Sequence, residues 1–214
     1  PIAGGPRMAA CIDLDGDGRS ELGVVRSQAN DLLVLRGRAW DGNAIETDIH
    51  PLGRAPEEAT YVDLDSDGIR DVATANELSN DVAILLGTSG GGFRPARRYP
   101  VGERPCSITF GDWNGDGKPD LAAGNTMSNN ISVLLGRGDG TFERERRFPA
   151  GNNPISVAGC CWDFDEDGNK DIAVTNMESN NVTVFFGDGT GNFPRSVYVP
   201  AGRVPRGIWV ADMD

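Results

Sequence analysis

Histidine is almost missing from this sequence: the 214 residues hold one, His50, with three tyrosines and an aromatic content of 7%. Triads, His-ligated zinc sites and most proton relays need more than that, and no Ser-His-Asp or Cys-His set, zinc spacing or phosphate-cradling loop is present. His50 is expected near the end of an outer strand, in a surface role. Cysteine is also scarce, with four in the chain. Cys11 and Cys161 stand where related stretches have Tyr61, Phe110 and Val210, and are read as core slots. Cys106 and Cys160 break the pattern, so free thiols and a Cys106–Cys160 disulfide both stay open. No run is apolar enough for a secretory leader or a membrane-spanning helix, and none has the period of a long amphipathic helix. Direct membrane insertion is therefore not expected.

Basic charge is short as well, with 20 Lys and Arg against 32 Asp and Glu and a net charge of −12. That balance argues against nucleic acid and anionic membranes as partners. Arg97, Arg98, Arg144, Arg146 and Arg147 fall on expected outer strands, where charge protects an edge.

The acids, by contrast, are concentrated and periodic. "DLDGDGRSELGV" starts at Asp13, "DLDSDGIRDVAT" at Asp63, "DWNGDGKPDLAA" at Asp112 and "DFDEDGNKDIAV" at Asp163. A fifth copy opens at Asp212, and the first aspartates lie 50, 49, 51 and 49 residues apart. Self-similarity at this period marks a solenoid, a propeller or an array. Units run over about 1–50, 51–99, 100–148 and 149–199, with a partial fifth over 200–214. A proline precedes the acidic stretch by seven residues at Pro6, Pro56, Pro105 and Pro205, and by nine at Pro154. The fourth unit thus carries a two-residue insertion near Gly159-Cys160, read as a bulge or a longer strand end.

Each unit reads as four strands. In the third unit these are "SITF", "DLAAGN", "ISVLLG" and "TFERERRF", separated by turn residues. The third run is almost wholly apolar, as for a strand covered on both faces, while the fourth is charged, as for an edge. Four antiparallel strands per unit make one propeller blade, which buries its faces only against its neighbours. The expected fold is an all-β propeller of four-stranded blades, with about four blades present. We expect a segment of a larger ring; a closed four-bladed ring is the alternative.

Alternate residues of an extended loop point the same way, so D-x-D-x-D aims three oxygens at one point, and a glycine in sixth place allows the sharp turn. Adding a seventh-place carbonyl and a ninth-place carboxylate gives an oxygen shell suited to calcium. In the first loop the donors are Asp13, Asp15, Asp17, the Arg19 carbonyl and Glu21; in the second, Asp63, Asp65, Asp67, the Ile69 carbonyl and Asp71. The third offers Asp112, Asn114, Asp116, the Lys118 carbonyl and Asp120; the fourth Asp163, Asp165, Asp167, the Asn169 carbonyl and Asp171. An EF-hand would need a bidentate Glu in twelfth place, where this chain has Val24, Thr74, Ala123 and Val174. Calcium is thus the expected cofactor, about one ion per complete unit, and four ions would bring the net charge to about −4.

Extracellular calcium modules have Kd values of roughly 10⁻⁴ to 10⁻³ M, so about 1 mM calcium stabilises each site by roughly 0.4 to 1.4 kcal/mol. Sites of that strength would be empty in cytosol, which points to a secreted or cell-surface protein.

"ITFGDWNGDGKPDLAAGNTMSNNISVLLGRGDGTF" resembles the FG-GAP and VCBS-type repeat, the calcium-binding blade of the integrin α-subunit propeller and of many secreted bacterial proteins. The resemblance spans essentially the whole chain. It implies a calcium-loaded propeller, commonly of seven blades, with the acidic loops on one face. Where integrin repeats end the second strand in Gly-Ala-Pro, this chain has "TAN", "AGN" and "VTN", so it is closer to the bacterial-type variant and no ligand residue is carried over.

Arg137-Gly138-Asp139 spells an adhesion tripeptide but sits in a turn filled by other residues in other units. Asn130-Ile131-Ser132 and Asn181-Val182-Thr183 have the form of glycosylation sequons, with the Asn expected in left-handed turn backbone. The function read from the sequence is a calcium-stabilised binding or adhesion module presenting loops to an extracellular protein or glycan. The face expected to bind carries "NELSND", "NTMSNN" and "NMESNN" with the loops joining units. A propeller-type polysaccharide lyase or hydrolase, or a structural spacer next to other blades or domains of a longer chain, are the alternatives.

Overall fold

The computed structural model of the chain describes residues 3–14, 18–36 and 46–211. It shows the expected all-β propeller architecture. Blade 1 comprises β1 (Pro6–Ile12), β2 (Glu21–Arg26), β3 (Asp31–Arg36) and β4 (Glu46–Pro51). Blade 2 has β5 (Pro56–Val62), β6 (Asp71–Asn76), β7 (Asp81–Leu85) and β8 (Arg97–Pro100). Blade 3 has β9 (Pro105–Gly111), β10 (Asp120–Asn125), β11 (Asn130–Leu134) and β12 (Arg146–Pro149). Blade 4 has β13 (Pro154–Ala158), β14 (Ile172–Asn176), β15 (Asn181–Phe186) and β16 (Arg195–Pro200). Each blade is an antiparallel sheet in sequence order, and β1, β5, β9 and β13 adjoin one another as the inner strands.

The repeated proline opens each inner strand. It faces the last residue of the second strand (Pro6↔Arg26, Pro56↔Asn76, Pro105↔Asn125, Pro154↔Asn176), and the register slips directly after it. A residue without an N–H cannot donate to the ladder, so the slip falls there.

The core lies between blades. Leu14, Val25, Leu32 and Val34 of blade 1 meet Ala59, Val72 and Leu85 of blade 2. Val82, Ile84 and Leu86 meet Leu121, Leu134 and Phe142 at the next joint, and Trp113, Ile131 and Val133 meet Ile172, Phe185 and Phe193 at the third. An equivalent edge-to-face ring pair recurs at each of these joints: His50 on Phe93 at 4.9 Å, Tyr99 on Phe142 at 5.4 Å, Phe148 on Phe193 at 5.1 Å.

Several local expectations need correction. His50 has no free surface role; it occupies the joint position of Tyr99 and Phe148, and burial lowers its pKa. Cys11 and Cys161 are exposed, and all four cysteines are free thiols. Tyr61 and Phe110 face the preceding blade, whereas no described blade covers Cys11, and Cys161 lies in the insertion. That insertion does not lengthen a strand: β13 stops at Ala158, and pairing returns only where Asp171 N–H donates to the Trp162 carbonyl at 2.7 Å. In "TFERERRF" only the end pairs as β12, because Phe142 turns into the core at an isolated bridge to Gly136.

Candidate metal centre

Each acidic loop joins the first strand of its blade to the second, and its aspartates shape it before any ion is considered. The first-place carboxylate caps the turn. Asp63 accepts from Asp67 N–H (3.2 Å) and Gly68 N–H (2.9 Å), Asp112 from Asp116 and Gly117 (3.2 and 2.9 Å), and Asp163 from Asp167 and Gly168 (3.1 and 2.8 Å). Asp13 accepts from Gly18 N–H at 3.0 Å. Gly18, Gly68, Gly117 and Gly168, in sixth place, have φ of 83°, 86°, 77° and 92°, which a side chain would strain. The fifth-place carboxylates Asp67, Asp116 and Asp167 accept from the seventh-place N–H groups of Ile69, Lys118 and Asn169 at 2.8, 3.0 and 2.8 Å.

The ninth-place acid has a second role that the sequence reading missed. Asp71, Asp120 and Asp171 are fully buried. One oxygen accepts from the second-place N–H (Leu64 2.6 Å, Trp113 2.9 Å, Phe164 2.7 Å), the other from a glycine just past the third strand (Gly87 2.7 Å, Gly136 2.8 Å, Gly187 2.9 Å). Glu21 makes the first of these bonds, to Leu14 N–H at 2.8 Å. The glycine is needed because a Cβ at Gly87 would lie 2.6 Å from the Arg70 carbonyl oxygen. An oxygen with two lone pairs that accepts one N–H keeps the other for a cation.

Places one, three and nine converge. Asp63, Asp65 and Asp71 each bring a carboxylate oxygen within 4.8 Å of the others, as do Asp163, Asp165 and Asp171. Ligands about 2.3–2.6 Å from one calcium ion are at most roughly 5 Å apart, so both clusters fit that ion. Asp67 and Asp167 stand outside the clusters. In the third loop Asn114 replaces the third-place acid and accepts from Asp116 N–H at 3.1 Å. Asp15 and Asp17 of the first loop, like Asp212 and Asp214 of the partial unit, lie outside the described residues; Arg19 is exposed.

The cluster carboxylates are crowded and shielded, with Arg94 the cation beside Asp65. The Asp65 side chain is 9% exposed and its enclosed Oδ1 has no hydrogen-bond partner. Burial, then Asp67, raises its pKa. Burial also lifts Asp71 and Asp120 to about 6 against their backbone hydrogen bonds, and raises Asp171. Desolvated, crowded carboxylates resist ionisation unless a cation joins them.

The opposite face is built differently. Asn30, Asn80, Asn129 and Asn180 hold left-handed φ of 61°, 55°, 53° and 56° at the end of each second-to-third-strand turn. Each accepts, through its side-chain oxygen, from a backbone N–H of the following unit: Ala55 2.8 Å, Arg104 2.9 Å, Asn153 2.9 Å, Val204 2.8 Å. Ser79, Ser128 and Ser179 bind the joining loops of their own blades at Arg54, Glu103 and Asn152, all 2.9 Å. Beneath them the buried Asn76, Asn125 and Asn176 amides donate to Asp81, Asn130 and Asn181 at 2.8 Å. The left-handed residue is therefore one before each sequon Asn, since Asn130 and Asn181 begin strands. These polar turns, expected as the recognition surface, are largely used in stitching blades together, which leaves Leu78 and Met127 exposed at their tips. Arg137 and Asp139 are bound within their own turn, to the Phe142 carbonyl and to Thr141.

A blade architecture with an acidic loop at every first turn defines a propeller of the acidic-loop repeat class. The FG-GAP-like repeat pattern matches residues 63–123, 112–160 and 163–214, more than half of the chain. The chain belongs to the FG-GAP-like repeat family. No curated protein matches it. Among solved structures it is similar to a functionally unknown protein from Desulfotomaculum acetoxidans, with 16% identity and a TM-score of 0.68, covering 100% of this chain and 63% of that one. It is also similar to a protein from Lactobacillus plantarum (18%, TM-score 0.65, 92% and 56%) and to the periplasmic gluconolactonase of Pseudomonas aeruginosa (19%, 0.61, 92% and 58%). The chain spans less than two thirds of these proteins, and the likeness is one of fold.

Proposed function

We propose that this chain is a calcium-stabilised propeller module of an extracellular or cell-surface protein, whose ions clamp the first hairpin of each blade. The observation that carries this reading is the convergence of Asp63, Asp65 and Asp71, and of Asp163, Asp165 and Asp171, on points that fit one divalent ion each. The ion supplies counter-charge and takes no part in chemistry. At about 1 mM calcium four such sites contribute roughly 2 to 6 kcal/mol, a large share of a typical folding free energy of 5 to 15 kcal/mol. Thermal melting with calcium and with chelator tests it: the midpoint falls in chelator, and an unchanged midpoint contradicts the reading.

The partner is a protein or glycan met by the turn face around Leu78 and Met127. Capture of an extracellular partner or a glycan, lost in Leu78→Asp/Met127→Asp, supports this; capture that survives the pair contradicts it. A further blade is the partner of blade 4. Phe164 is 41% exposed where Leu14, Leu64 and Trp113 are 1–2%, and Val199, at the joint position of Tyr99 and Phe148, is 48% exposed. Adding one more blade raises the melting temperature; no change argues against that occupant.

A further inference from the structure

The acidic loops are not wholly without positive charge. Arg94 of blade 2 reaches Asp65 with Nη1 3.5 Å from Oδ2, and Arg195 of blade 4 forms an ion pair with Asp165 Oδ2. Arg94 lies in the hairpin between the third and fourth strands of blade 2, and Arg195 opens the fourth strand of blade 4. Both choose the third-place aspartate, a member of the converging cluster, and each is more than half exposed. The Arg195 guanidinium also lies over the Phe186 ring, 3.6 Å from its centre, which holds it ready over the loop.

Blade 3 provides the internal control. There the third place is the neutral Asn114, Glu143 stands where blade 2 has Arg94, and Arg144, at the place of Arg195, makes no hydrogen bond or ion pair among the described residues. Its loop carries a cation elsewhere, Lys118 on the fifth-place Asp116 at 3.3 Å. Among blades 2 to 4 the arginine thus engages where the third place is an acid and not where it is an amide.

We propose that Arg94 and Arg195 are tethered counter-cations: they hold Asp65 and Asp165 in the ion-free protein and give up those oxygens when a divalent ion enters, which lowers affinity at these two loops. The inference rests on the calcium reading above. An exposed ion pair contributes little by itself, but a positive charge beside a divalent site weakens binding through space, more at low salt.

The test titrates calcium calorimetrically into the wild-type chain, Arg94→Gln, Arg195→Gln and Arg94→Lys, at low and high salt, with melting in chelator alongside. At low salt the Gln variants bind about three- to tenfold tighter at the affected loop with an unchanged number of ions, and high salt narrows the gap. Arg94→Lys stays near wild type. In chelator the Gln variants melt about 1–3 °C lower. Equal or weaker calcium binding by the Gln variants overturns the proposal and leaves the calcium reading standing. No binding by the wild type overturns both.

Discussion

The two ends of each blade hold the chain together by opposite means. On the turn face Asn30, Asn80, Asn129 and Asn180 each find an N–H of the next unit, Ser79, Ser128 and Ser179 each find an N–H of their own blade, and the buried amides of Asn76, Asn125 and Asn176 donate beneath them. On the loop face the turns are as well hydrogen-bonded, yet Asp65, Asp71, Asp120 and Asp171 have raised pKa values. The turn face is joined by neutral amide and hydroxyl bonds, with Asn125 Oδ1 and Asn176 Oδ1 left without a partner, whereas the loop face gathers crowded carboxylates. Both come from one repeat, so on the calcium reading proposed above only the loop end should respond to the ion.

That contrast can be broken most severely at Asp120. Asp120→Ala strips the partners from two buried N–H groups, Trp113 and Gly136, and is expected to cost about 3–5 kcal/mol by denaturant unfolding, in chelator as well as in calcium. On the other face Asn125→Ala removes the bonds to Asn130 and Ser132 and is expected to cost about 2 kcal/mol, equally with and without calcium. A calcium-dependent cost for Asn125→Ala would blur the distinction.

Asp65→Asn sharpens it. Burial disfavours charge on Asp65 while Arg94 favours it, so in chelator the change has little effect on stability. In calcium it brings a loss of about 1 kcal/mol as one ligand goes. A loss of equal size in both conditions would make Asp65 a structural cap only. The smallest perturbation is thiol labelling. Cys11, Cys160 and Cys161 react quickly in the folded protein, whereas Cys106 is slow, since its half-buried thiol lies against the Pro154 and Ile155 carbonyls and burial lifts its pKa to about 12.

The period, the four strands per unit, the inner-strand proline and the sixth-place glycine were legible because each is a local backbone requirement repeated four times. What stayed hidden lies between units or across a blade. The bond from Asp120 to Gly136 spans sixteen residues and that from Asn129 to Asn153 spans twenty-four, and nothing in either segment alone announces it. His50 looked superficial because it is a lone histidine; set beside Tyr99 and Phe148 in the aligned units, it is a joint ring. Cys11 and Cys161 looked buried by the same alignment and are not, because exposure depends on which blade face is covered and on where the insertion bends the chain.

The central claim is that each acidic loop takes one calcium ion. Equilibrium dialysis of the purified chain against several millimolar radiolabelled calcium counts the bound ions directly. About four per chain is the expected result, and fewer than one would contradict the account.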